Sequence, residues 1–183
     1  GSYATALTGK WHLGNRATGN EQSGDMGFDW YSGAPENLLL RVPLDDGLPH
    51  GYFHWIKNNN GVLEYNDNYA TTDTIDDAIE HVTSLPEPWF LYVPLNAAHS
   101  PVHVPPADLT TLAVTDDDPE PVRFQAVVEA MDMEIGRLLD AMSPEVAART
   151  TVVVMGDNGS PDWAITPPRA VPQHKGTVYE GGT

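Results

Sequence analysis

Two short apolar runs on either side of a long amphipathic segment leave this chain few folds to adopt. The run Trp89–Leu95 lies between prolines, and Thr151–Met155 ends at Gly156-Asp157-Asn158-Gly159. Continuous apolar runs bounded by turn signals read as strands buried on both faces, as in parallel sheets. Between them, Pro119–Met142 carries Phe124, Val127, Val128, Met131, Ile135, Leu138, Leu139 and Met142 at three- and four-residue spacing, the stripe of an amphipathic helix. Strand, helix and strand in that order predict a parallel sheet with helical crossovers, an α/β fold.

The remaining segments fill in that plan. Ser2–Thr8 reads as the last turns of a helix and Lys10–Leu13 as a short strand stopped by Gly14. Asn15–Pro49, rich in Gly, Asn and Pro, reads as loop. Tyr52–Lys57 and Val62–Tyr65 alternate about Asn58-Asn59-Asn60-Gly61, which predicts a hairpin. Thr71–Leu85 sets Ile75, Ala78, Ile79, Val82 and Leu85 on one helical face. Ser160–Gln173, with four prolines, reads as loop.

Composition excludes several classes. With 40% hydrophobic residues in 183, the chain can bury a core and is not intrinsically disordered, despite a formal charge of −17. That charge, from 9 Lys+Arg against 26 Asp+Glu, argues against nucleic acid as a partner. Without cysteine there is no disulfide scaffold, cysteine-ligated zinc or cysteine nucleophile within these residues. No apolar run reaches the roughly 18–20 residues of a transmembrane segment. Between Gly61 and Val122 stand twelve acids and no Lys or Arg, which reads as a solvated acidic face.

Ligands of open parallel sheets bind beyond the carboxyl ends of strands. Three polar groups fall at such places: Lys10 and His12, then His99 after the Trp89 run, then Asp157-Asn158 after the Thr151 run. Lys175 follows in the last loop. Asp157 and Asn158 offer hard oxygens of the kind that Ca²⁺ or Mg²⁺ prefers. The lysines supply point charges for sulfate or phosphate oxygens, and a histidine can protonate a leaving oxygen. Trp11 reads as core or wall, and His103 as structural or rim.

These residues resemble the sulfatase family. Gly9–Gly14, GKWHLG, matches its signature, and Gly27-Phe28-Asp29-Trp30-Tyr31 is similar to the GFD segment that follows. PWFLYVPLNAAHSPVHVP over Pro88–Pro105 resembles the family's strand and N-x-H-x-P loop. Val127–Met142, Thr151–Gly159 and KGTVYEGG over Lys175–Gly182 resemble its helix, its DNG strand and its K-G-[ST]-x-[YW]-E-G-G motif. The resemblance is to bacterial arylsulfatases of the alkaline-phosphatase superfamily and spans nearly the whole chain.

The resemblance implies an alkaline-phosphatase-like, mostly parallel sheet flanked by helices, with residues 1–183 as the central part of one catalytic domain truncated at both ends. It implies that Lys10, His99 and Lys175 contact the sulfate, that His12 holds the nucleophile, and that His99 acts as general acid. Asp157 and Asn158 would ligate a divalent metal, usually calcium, with Mg²⁺ the alternative. The family's nucleophile is a formylglycine made from the Cys or Ser of a C/S-x-P-x-R motif. No such motif is present, since Ser84-Leu85-Pro86-Glu87-Pro88 lacks the Arg. The nucleophile and the remaining metal ligands are therefore expected upstream of Gly1, and this piece alone is expected to be inactive. A sulfate ester of a phenol or carbohydrate is the expected substrate, a formylglycine-generating or sulfatase-maturating enzyme the expected partner, and periplasm or secretion the expected location. The rival readings are a phosphoester or phosphonate-ester hydrolase of the same superfamily and a sulfated-glycan-binding protein without catalysis.

Overall fold

The computed structural model describes residues 2–13, 27–39, 47–165 and 174–177. Among the described residues five strands form one sheet in the order β4-β3-β2-β1-β5, from β1 (Ala4–Thr8), β2 (Trp30–Gly33), β3 (Trp55–Asn59), β4 (Val62–Asn66) and β5 (Trp89–Tyr92). β1 pairs in parallel with β2 and β5, bringing Ala6 level with Trp30 on one side and Leu91 on the other. β3 and β4 continue the sheet antiparallel beyond β2. The architecture is α/β, and among the described residues the parallel pairings are those of β2-β1-β5.

The hairpin forms as expected, although β3 begins at Trp55. Its turn places Asn60 at φ 48° and Gly61 at φ 97°, the two left-handed positions that join strands of native twist. The Asn58 carboxamide accepts from the Gly61 N–H at 2.7 Å and closes the turn. Helix α1 (Ala70–Ser84) buries Ile75, Ala78 and Val82 and packs over β1, β2 and β5. Lys57 of β3 ties it down, its ammonium 2.7 Å from both Asp73 and Asp77.

Helix α2 (Glu120–Ala141) lies chiefly against α1. Of its expected apolar stripe only Val127 is fully buried; the inner line is Ala126, Ala130 and Glu134, with Val127 beside it. Small alanines bring the two helices close. The buried Glu134 carboxylate accepts from Thr72 Oγ1 at 2.6 Å and pairs with Arg137, so its charge is compensated. The larger side chains of the stripe are left partly or mostly exposed, as Val128 and Leu139 are.

Four expectations are corrected. Ser2–Thr8 is not a helix end: Ala4–Thr8 is the strand β1, and its pairing on both edges overrides the helical preference of Ala and Leu. Lys10–Leu13 is loop, because Gly9 at φ 125° turns the chain out of β1. The segment read as loop over Asn15–Pro49 contains β2, although residues 15–26 and 40–46 lie outside the described residues. Neither apolar run is buried on both faces. β5 spans only Trp89–Tyr92 at the sheet edge, with Phe90 and Tyr92 about half exposed. Thr151–Met155 makes no strand pairing among the described residues, and Met155 is 81% exposed.

Candidate active site

The loop beyond β1 is held by its backbone. Gly9 N–H donates to Ser32 O, Trp11 N–H to Ala34 O and His12 N–H to Pro35 O, all on the β2 side. Lys10 N–H donates to Pro94 O at 2.7 Å on the β5 side. Lys10 and His12 therefore leave the sheet at the carboxyl end of β1, wedged between the loops after β2 and β5. This approach requires glycine: a Cβ on Gly9 would meet Pro94 O at 2.2 Å, and one on Gly33 would meet Gly9 O at 2.0 Å. Trp11 anchors the loop in the core against Phe28 and Tyr31. His12 takes φ 47°, a left-handed conformation uncommon for a side-chain-bearing residue.

β5 runs parallel to β1, so the loop after it opens on the same rim. His99 closes a turn there, its N–H donating to Asn96 O at 2.8 Å. Its Nδ1 lies 3.1 Å from the Ser100 carbonyl and 3.4 Å from the Ser100 hydroxyl, which leaves Nε2 without a bond to this loop's own turn. His103 is a half-buried structural residue of this loop: it stacks on Tyr52 at 3.9 Å, donates from Nδ1 to Pro101 O and accepts at Nε2 from the Tyr69 hydroxyl.

Asp157 and Asn158 follow Thr151–Met155, and Lys175 is tied just beyond them by its N–H bond to Ser160 O at 2.7 Å. The charges of the four segments act on one another. Burial lowers the Lys10 pKa, Asp157 opposes that, and Lys175 adds to it. Burial also lowers the His12 pKa, and the charges of Lys10, His99 and Lys175 push the same way against Glu36. Asp157 and Lys175 thus lie within electrostatic reach of Lys10, and Lys10, Glu36, His99 and Lys175 within reach of His12. Glu36 belongs to this group, and the sequence did not single it out.

Asp157 and Asn158 suit a hard cation in donor type, and the nearby lysines would hold the anion such a cation attracts. Calcium needs about six to eight oxygens. Among the described residues no three His, Asp or Glu side chains cluster to supply more. The two residues fit a partial shell. Of the Lys175–Gly182 motif, residues 178–182 lie outside the described residues.

Comparisons with known proteins give the family. Residues 2–174 match the model of the Sulfatase family. Arylsulfatase G of Rattus norvegicus is 26% identical over 190 residues, covering 88% of this chain and 34% of that protein. N-acetylgalactosamine-6-sulfatase of Sus scrofa is 26% identical over 197 residues, covering 98% of this chain and 36% of that protein. The chain thus spans about a third of the length of these relatives. The crystal structure of Ps i-CgsB in complex with k-i-k-neocarrahexaose superposes with a TM-score of 0.53 at 23% identity, covering 76% of this chain and 33% of that one. That likeness bears on the fold, which is alkaline-phosphatase-like. Among the described residues no helix is long and apolar enough to cross a membrane. With the family signature on the rim and the match running nearly end to end, the chain belongs to the sulfatase family.

Proposed function

We propose that the complete protein is a sulfuric ester hydrolase of the arylsulfatase kind, acting on sulfate esters of phenols or carbohydrates. The observation that carries the reading is that the Gly9–His12 loop leaves the carboxyl end of β1 bonded through its backbone to the loops after β2 and β5, the second of which carries His99. Both relatives named above are sulfatases, and the Ps i-CgsB structure holds an oligosaccharide.

In this reading Lys10 and Lys175 hold the sulfate oxygens as point charges and favour the transition state in which negative charge builds on them. His12 orients the attacking group. His99, protonated on Nε2, gives its proton to the ester oxygen as the sulfur–oxygen bond breaks, which makes the alcohol a neutral leaving group. Asp157 and Asn158 would hold Ca²⁺, or Mg²⁺, whose chemistry is to polarise the sulfate oxygens as a Lewis acid. The nucleophile, a formylglycine, and the other metal ligands belong to the complete protein, as does its maturation by a formylglycine-generating enzyme. Periplasmic or secreted location fits this reading.

The test is turnover by the complete protein. Peptide mass mapping should find a formylglycine in a C/S-x-P-x-R peptide upstream of Gly1. Aryl sulfate should be hydrolysed in preference to aryl phosphate, and both Lys10→Ala and Lys175→Ala should lose about a hundredfold or more in kcat/KM. Turnover that survives both substitutions would overturn the assignment. Preference for phosphate would move the protein to the phosphoester hydrolases, and binding of sulfated glycan without turnover to the non-catalytic class.

A further inference from the structure

The Tyr52 phenol sits where both ends of the His99 turn meet. Its oxygen lies 2.8 Å from Asn96 O and 2.9 Å from His99 O. Both partners are carbonyls, so the phenol is the donor to each, sharing one proton across the turn. The turn's own bond, His99 N–H to Asn96 O, ends on the same carbonyl. Tyr52 is 2% exposed, and burial holds its phenol protonated across the ordinary pH range. Its ring is fixed in turn. His103 stacks on it at 3.9 Å, and His103 is held by Tyr69 and by Pro101 O. The loop that carries His99 is therefore gripped at Asn96, at His99 and at His103 by one aromatic cluster that lies outside the rim.

We propose that Tyr52 is a positioning residue for His99, fixing the turn from which that histidine reaches the leaving oxygen. The inference rests on the function proposed above for the role of His99, and on the geometry alone for the grip. A rigid turn matters because proton transfer needs heavy atoms about 2.6–3.2 Å apart. Tyr52→Phe keeps the ring and its stacking and removes only the hydroxyl.

Two measurements on the complete protein test it. In the first, backbone hydrogen exchange at His99 should quicken by about tenfold in Tyr52→Phe, while exchange at Ala6 and Leu7 of β1 stays unchanged. In the second, kcat/KM should fall by about tenfold for phenyl sulfate and much less for 4-nitrophenyl sulfate, whose leaving group needs little protonation. Tyr52→Phe should cost nothing further once His99→Ala is in place. Unchanged exchange at His99 overturns the proposal whether or not the protein turns over sulfate esters. Equal losses for the two esters, or losses that add to those of His99→Ala, overturn the positioning role. A wild-type protein inert toward both esters and toward sulfated carbohydrate overturns the proposed function, and the exchange result then decides the grip by itself.

Discussion

A methyl group on Gly33 would stand 2.0 Å from the carbonyl oxygen of Gly9, backbone against backbone. Gly33 also sits at φ 143°, outside the range that other residues adopt comfortably. No rotamer change relieves such a clash, so the Gly9–His12 loop must move if β2 is to stay paired. Gly33→Ala should destabilise the complete protein by about 2–4 kcal/mol in denaturant unfolding and displace Lys10 and His12 together. Gly136 is the counter-case: it lies within α2, and a Cβ there meets nothing within 4 Å. Gly136→Ala should stabilise by about 0.5–1 kcal/mol. Equal effects at the two positions would contradict the steric argument.

The second prediction concerns Lys57, whose side chain is 8% exposed between Asp73 and Asp77. Asn66 and Asn68 also donate to Asp73. Lys57→Met would leave two carboxylates of α1 without their cation, at a cost of about 3–5 kcal/mol. Part of that loss should return in Lys57→Met/Asp77→Asn, which removes one stranded charge. Burial lowers the Lys57 pKa, but the hydrogen bonds and charges of both aspartates outweigh it and hold the pKa above its ordinary value. The pair's contribution is therefore complete below the unfolded lysine pKa and is lost as pH rises through the folded one. Unfolding titrations of the single and double variants check both claims.

Which parts of this molecule could be read from sequence follows from the range of the forces involved. Helices α1 and α2 and the β3–β4 hairpin were legible because periodicity and the Asn60-Gly61 turn are local. β1 was not, because a five-residue Ala/Thr/Leu strand owes its form to β2 and β5, more than twenty residues away. The run Thr151–Met155 shows the converse: apolarity records a demand for burial but not the neighbour that would meet it. Lys10, His12, His99, Asp157, Asn158 and Lys175 stood out through motif and placement. Tyr52, Glu36 and Gly33 did not, since each matters only through what it touches across the fold; the carbonyls facing Tyr52 are 44 and 47 residues away.

Acid should weaken the fold through His103. Burial lowers its pKa; the hydrogen bond to Pro101 O opposes this, and the Arg123 charge adds to the lowering. Tyr52, Phe53 and Tyr69 surround the ring, and protonation of Nε2 would cost it the hydrogen bond from the Tyr69 hydroxyl, whose own pKa burial pushes up to about 12. A histidine with a depressed folded pKa leaves stability untouched above the unfolded value of about 6.5. Stability then falls with pH until the folded value is passed, because the unfolded chain takes the proton first. His12 and His81 are shifted the same way and steepen the fall. In urea unfolding from about pH 7.5 down to about pH 5, His103→Gln should show a shallower loss of stability than the parent. An unchanged slope would place the acid sensitivity elsewhere.

The rim's electrostatics can be checked without substrate, by histidine NMR titration of His12. Burial is the first cause of its lowered pKa, followed by the Lys10 charge, with Glu36 acting in the opposite sense. The two neighbours thus predict opposite signs. Lys10→Met should raise the His12 pKa, since a cation that penalised the imidazolium is gone. Glu36→Gln should lower it further, since the carboxylate that favoured the imidazolium is gone. Lys175→Met should act as Lys10→Met does, but more weakly, its charge standing after those of Lys10 and His99 among the causes. Shifts of one sign in all three variants would mean a general rearrangement of the loop. Shifts of opposite sign mean that Lys10, Lys175 and Glu36 act on His12 through their charges, and that the cationic face of the rim is already assembled in the folded chain before any anion arrives.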